Sequence, residues 1–169
     1  MTFKIFGIGL SRTGTTTLNN VLNQWGWNTI HYPNEQQLWD PKSPGATDIP
    51  AALNFRELDL RFPGSKFVYT VRNKEQWLNS IVPYLERKRQ WQQSQGQINV
   101  RRMLYGDPFP SRDQASKAWD RHDADVRTWF GDRMLTIDII AGESPKKLAQ
   151  FLGVKTDMNE FPHLNELKK

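Results

Sequence analysis

The chain has 169 residues, 37% hydrophobic and 12% aromatic, with a net charge of +5, an isoelectric point near 9.6 and no cysteine. That is room for one globular domain with a real core, and it excludes disulfides and thiolate metal sites. No apolar run is long enough to span a bilayer and the first residues lead straight into a strand, so a cytoplasmic protein is expected; its positive charge favours acidic ligands.

Phe3 to Ile8 is an apolar run rich in β-formers that stops at Gly9, which suits a buried strand of a parallel sheet. Leu18, Val21, Leu22 and Trp25 then recur at helical spacing until Gly26. Asn28 to Tyr32 reads as a second strand ending at Pro33, and Asn34 to Thr47, polar and punctuated by Pro and Gly, as a loop. Ala51 to Phe62 reads as a helix closed by Pro63 and Gly64, and Lys66 to Val71 as a strand. A helix follows Asn73, with Gln76 in capping-box spacing and Pro83 expected to kink or interrupt it.

Glu86 to Gln97 is highly polar, and Val100 to Ser111, with Gly106, Pro108 and Pro110, reads as a mobile lid or acceptor-binding segment. Asp113 to Phe130 is expected as a helix, Met134 to Ile139 as a last strand, and Pro145 to Leu152 as a helix capped by Ser144 and stopped by Gly153. Strands alternating with helices predict an α/β fold: one three-layer domain of P-loop type spanning 1–169, its central parallel sheet flanked by helices. Segments 34–47 and 86–111 are the candidate lid or acceptor regions.

A strand, a turn with Gly9 and Gly14, and a helix opening on Thr15, Thr16 and Thr17 put free backbone N–H groups and a helix N-terminus around an anion. The Gly9 to Gly14 spacing matches a nucleotide-hydrolase phosphate loop, but Thr15 stands where its lysine would be, and the cation is Arg12, inside the loop. Further on, Arg72 ends a strand, where open α/β sheets place ligands, and Asn73, Trp77 and Ser80 share one face of the next helix. An arginine fork with a hydroxyl suits a second phosphate.

Arg12, Thr13, Gly14, Thr15 and Thr16 resemble the 5′-phosphosulfate loop of sulfotransferases that use 3′-phosphoadenosine 5′-phosphosulfate (PAPS), and Arg72 with Ser80 resembles their 3′-phosphate motif. The tail, with Phe151-Leu-Gly and Phe161-Pro-His-Leu-Asn, is similar to the closing segment of short sulfotransferase-like proteins. The resemblance implies sulfuryl transfer from PAPS to a hydroxyl or amine, leaving adenosine 3′,5′-bisphosphate, without a metal. It assigns cofactor binding to Ser11, Arg12, Thr13, Gly14, Thr15, Thr16, Thr17, Arg72 and Ser80, and charge stabilisation to Arg12.

His31, at the end of the second strand, is the first candidate for general base, its other reading being a packed strand-end histidine. Asp48 is the second, its other reading being a helix N-cap ahead of Pro50. His122 is expected at a surface or satisfied by a neighbour, and His163 as packing in the tail. The run Glu86 to Arg89, followed by Trp91 and later Arg101 and Arg102, reads first as a solvated helix face and otherwise as a site for an acidic acceptor, nucleic acid being the less favoured partner.

Two further functions stay open: a phosphotransferase with a degenerate loop, and a non-catalytic nucleotide-binding or interaction protein. The basic, Gly-rich C-terminal loop of cytosolic and Golgi sulfotransferases has no counterpart here, and Lys168 and Lys169 do not replace it. A small molecule or a glycan would serve as acceptor; neither its identity nor the oligomeric state follows from these residues.

Overall fold

A computed structural model describes residues 3–162. The strands are β1 (Ile5–Gly7), β2 (Ile30–His31), β3 (Gly45–Thr47), β4 (Lys66–Thr70) and β5 (Met134–Ile137). They form one sheet in the order β2-β3-β1-β4-β5, parallel throughout. The helices are α1 (Thr15–Gln24), α2 (Glu35–Trp39), α3 (Ile49–Leu53), α4 (Phe55–Arg61), α5 (Lys74–Lys88), α6 (Gln95–Tyr105), α7 (Arg112–Phe130) and α8 (Pro145–Leu152). Among the described residues no helix is long and apolar enough to cross a membrane.

Successive strand residues feed opposite layers, as the two-residue period requires. Ile5, Val68, Leu135 and Ile137 pack with Leu18, Val21 and Leu22 of α1 and Leu148 and Leu152 of α8. Phe6, Phe67, Tyr69 and Met134 face the other way, against Phe55 and Leu58 of α4 and Val126 and Phe130 of α7. A third apolar cluster joins Leu10 and Ile49 to Trp77, Ile81 and Leu85 of α5, Leu104 and Tyr105 of α6, and Trp119 of α7. It holds α5 and α6 beside the carboxyl edge of the sheet, where β1 runs into its loop.

Four details differ from the sequence reading. The stretch 34–47 is no simple loop: Asn34 caps α2 through a capping box with Gln37, and Gly45–Thr47 is an inner strand between β2 and β1. The helix read over Ala51 to Phe62 is two, broken at Asn54, whose N–H turns back to the Ala51 carbonyl at 3.2 Å. Helix α5 runs through Pro83 to Lys88; Pro83 lies on its exposed side, where solvent serves the carbonyl left without a donor. The segment 86–111 is largely helical: Ser94 and Gln97 form a capping box on α6, and Arg101, Leu104 and Tyr105 are buried.

The other expected elements are present, several trimmed at their ends. His163, Asn165, Lys168 and Lys169 lie outside the described residues.

Candidate functional site

Strand order decides which side chains meet at the carboxyl edge. His31 ends β2, Asp48 follows β3, the anion loop follows β1, Arg72 lies just after β4, and Ile139 just after β5. One cleft of about 1130 Å³ runs along this edge. It takes in Ser11, Arg12, Gly14, Thr15, Thr16, Thr17, His31, Asp48, Arg72 and Ser80, so the two motif stretches share a single cleft. Of the positions singled out from the sequence for the site, Thr13 alone is absent from its lining.

The loop is shaped by left-handed residues at Arg12 (φ 73°) and Gly14 (φ 100°). Gly14 caps α1 without a side-chain bond, and the first intrahelical donor is Leu18, to the Gly14 carbonyl at 2.9 Å. The N–H groups of Thr15, Thr16 and Thr17 therefore have no acceptor among the described residues. They form the positive end of the helix dipole, facing the cleft.

Internal bonds hold that shape. The Thr13 hydroxyl donates to the Leu10 carbonyl at 2.7 Å, which leaves it to accept from Thr70 Oγ1, also at 2.7 Å. Thr13 is thus a brace for the loop. A side chain at Gly9 would collide with that same Thr70 hydroxyl. Trp77 Nε1 donates to the Ser11 carbonyl at 2.9 Å, and His122 Nε2 to the Ile8 carbonyl at 2.8 Å. His122 is buried, against the surface position considered from sequence, and burial holds its pKa below the ordinary value, so the ring stays neutral.

Two guanidinium groups meet over the loop. Arg12 Nε donates to Ser80 Oγ at 3.0 Å, with the Arg12 guanidinium 5.2 Å from the centre of the Tyr84 ring. Arg72 Nη1 donates to the Arg12 carbonyl at 3.3 Å, while its Nε is buried without a partner among the described residues. Burial and then the Arg12 charge lower the Arg72 pKa, partly offset by Asp138. Neither arginine forms an ion pair among the described residues, so the pair presents net positive charge to the cleft.

The two candidate bases converge. His31 Nε2 stands 3.4 Å from Asp48 Oδ2 and 3.2 Å from Thr16 Oγ1. His31 Nδ1 lies 3.0 Å from Thr47 Oγ1, whose own proton is directed to Asn19 Oδ1 at 3.3 Å. Thr47 is left to accept, which assigns the neutral imidazole its proton on Nδ1 and makes Nε2, in the cleft, the acceptor of the Thr16 hydroxyl.

Asp48 does cap α3, through Ile49 N at 2.8 Å, but its Oδ1 also takes the Ser11 hydroxyl at 2.7 Å. Its backbone sits at φ 81°, ψ −174°, a region nearly reserved for glycine that costs roughly 1–3 kcal/mol. The cap role and the cleft role therefore coexist.

A family model described as a sulfotransferase domain matches residues 36–169. The chain belongs to this sulfotransferase family. The matched span covers Asp48, Arg72 and Ser80, while the anion loop precedes it. No curated protein matches the chain.

Sequence reasoning about the sulfotransferase cleft missed Tyr84, which follows Ser80 at i+4 on α5 and lines the same wall; Lys88, weighed in the basic run 86–89 as a site for an acidic acceptor, lines it too. The helical period carried that signal, and reading Pro83 as a break hid it. Tyr32, half-buried behind this wall, had no signal in local spacing.

Proposed function

We propose that the protein transfers a sulfuryl group from PAPS to an acceptor hydroxyl or amine. The observation that carries this reading is the junction of Arg12 and Arg72 over the free N–H groups of α1, with the Arg72 Nε left without a partner. A buried guanidinium N–H without an acceptor is costly, and a phosphate oxygen supplies one. The cleft of about 1130 Å³ exceeds the roughly 300–1,000 Å³ of a single-ligand pocket, leaving room for donor and acceptor together.

Bound PAPS would supply an activated S–O bond whose cleavage leaves adenosine 3′,5′-bisphosphate. The N–H groups of Thr15, Thr16 and Thr17 would hold the 5′-phosphosulfate, with the Thr16 hydroxyl beside it. Arg72 and Ser80 would take the 3′-phosphate. Arg12, held by Ser80 and lying over Tyr84, would neutralise charge gathering on the leaving phosphate oxygen as the S–O bond breaks. His31 Nε2 would take the acceptor proton as the new O–S or N–S bond forms, with Asp48 stabilising the resulting imidazolium. The remaining catalysis is positioning by a loop braced at Thr13, Trp77 and His122.

The test is sulfate transfer from radiolabelled PAPS to a panel of phenols, sugars and amines, read together with release of adenosine 3′,5′-bisphosphate. Labelled product formed in step with the bisphosphate supports the reading. Binding of the bisphosphate without transfer would instead favour a non-catalytic nucleotide-binding role.

A further inference from the structure

Helix α5 begins beside Arg72 at the end of β4, passes over the anion loop at Trp77 and Ser80, and continues toward the end of β2. There Tyr84 packs against the same apolar cluster as Tyr32, the residue after His31. The first half of α5 therefore borders the two arginines, and its second half, with Tyr84, Arg87 and Lys88, lines the cleft that also takes in His31. At about 1.5 Å per residue, Lys88 lies some 12 Å beyond Ser80 along the helix, and Arg87 one residue short of it.

That second half is positively charged and aromatic. Arg87 and Lys88 line the cleft and form no ion pair among the described residues, while Glu86, the carboxylate on their turn, is held by Arg89 at 3.0 Å. Lys88 Nζ stands 4.2 Å from the centre of the Trp91 ring, which is 62% exposed at the rim of the cleft. A third cation backs this wall: Arg101 is 4% exposed, bonds Gln93 Oε1 at 2.8 Å, and keeps its Nη1 without a partner. Gln93 in turn bonds the Lys88 and Trp91 carbonyls, and the Tyr32 hydroxyl is likewise without a partner among the described residues. The carboxylate on this side, Asp48, is already engaged by Ser11 and Ile49 N.

A neutral phenol or sugar leaves these charges uncompensated, whereas a carboxylate or sulfate neutralises them and a ring on the same molecule suits the flat Trp91 face. We propose that the acceptor is an anionic hydroxyl compound whose carboxylate or sulfate is held by Arg87 and Lys88 on the His31 side of the cleft, with its ring against Trp91. This rests on the sulfotransferase reading above for the position of the reacting hydroxyl, and extends it to the class of acceptor.

The test pairs acceptors that differ only in charge: 4-hydroxyphenylacetate against p-cresol, and methyl β-glucuronide against methyl β-glucoside. Each is titrated into protein saturated with adenosine 3′,5′-bisphosphate, and each is assayed for sulfate transfer. In one or both pairs the carboxylate member is expected to bind, and to be turned over, at least tenfold better, the pair that responds separating a phenolic from a sugar source. The double variant R87Q/K88Q is expected to abolish that preference through a raised KM for the carboxylate members.

Equal or weaker binding of the carboxylate members in both pairs would overturn the proposal while leaving the donor reading intact. So would a carboxylate preference that survives in R87Q/K88Q. If the bisphosphate itself does not bind, the donor reading fails, and the same titration on the free protein still decides whether Arg87 and Lys88 select an anion.

Discussion

His31 Nε2 and Asp48 Oδ2 stand 3.4 Å apart although they belong to separate segments of chain, because β2 and β3 are neighbours and Asp48 is the first residue after β3. The contact sets the carboxylate beside the histidine nitrogen that faces the cleft, the arrangement the proposed general-base role requires. Replacing His31 by Asn is expected to lower kcat by about 10²–10⁴-fold with little change in bisphosphate affinity. Asp48→Asn, which keeps an N-cap acceptor for Ile49, is expected to lose less. Single-turnover transfer assays with titration of the bisphosphate check both; an active H31N would remove His31 from the mechanism.

Arg72 is expected to act on donor affinity. With each charge-assisted hydrogen bond worth roughly 1.5–3 kcal/mol, Arg72→Ala should weaken adenosine 3′,5′-bisphosphate by about 10–160-fold. Arg72→Lys should recover part of this, since an ammonium keeps the charge and loses the fork. Calorimetric titration reads the difference, and an unchanged Kd in R72A would place the phosphate elsewhere.

Gly9→Ala tests the brace beneath the loop. The added methyl meets Thr70 Oγ1, the Thr70 carbonyl and Thr13 Oγ1. Overpacking of this kind costs about 1–3 kcal/mol, or roughly 2–12 °C of Tm in a chain of this length. Because the disturbed hydroxyls set the loop, bisphosphate affinity should fall together with Tm in thermal-shift titrations.

Acid stability should carry the mark of His122. Its folded pKa lies below the ordinary 6.5 because burial disfavours the charged ring, while the unfolded chain takes up a proton near that value. The contribution is therefore fully present above about pH 6.5 and is lost as pH falls toward the folded value. Urea unfolding at pH 7.5 and 5.5 should show a drop in the wild type and a smaller drop in His122→Gln, which keeps a donor for the Ile8 carbonyl. Equal drops would assign the acid sensitivity to other groups.

The anion loop, α1, β4 and α8 were legible because each is specified locally: an apolar run ending at Gly9, the spacing of Leu18, Val21 and Leu22, and Ser144 and Gly153 as start and stop. Strand β3 was not. Gly45, Ala46 and Thr47 are three small residues between a Pro-rich turn and a cap, and they form a strand through pairing on both sides rather than by propensity. That omission also concealed the His31 and Asp48 contact: both residues were chosen as candidates, but their partnership follows from strand order alone. Helix α6 was missed for a related reason, its polar outer face masking the buried Arg101, Leu104 and Tyr105.

The most direct measurement is calorimetric titration of the protein with adenosine 3′,5′-bisphosphate, with ADP, and with ATP plus Mg²⁺, under one buffer and salt condition. Arg12 and Arg72 acting together on a doubly phosphorylated adenosine predict tightest binding of the 3′,5′-bisphosphate, with R12A and R72A each weakening it. Equal or tighter binding of ADP or Mg²⁺-ATP, or a bisphosphate affinity indifferent to both arginines, would contradict the sulfuryl-transfer reading.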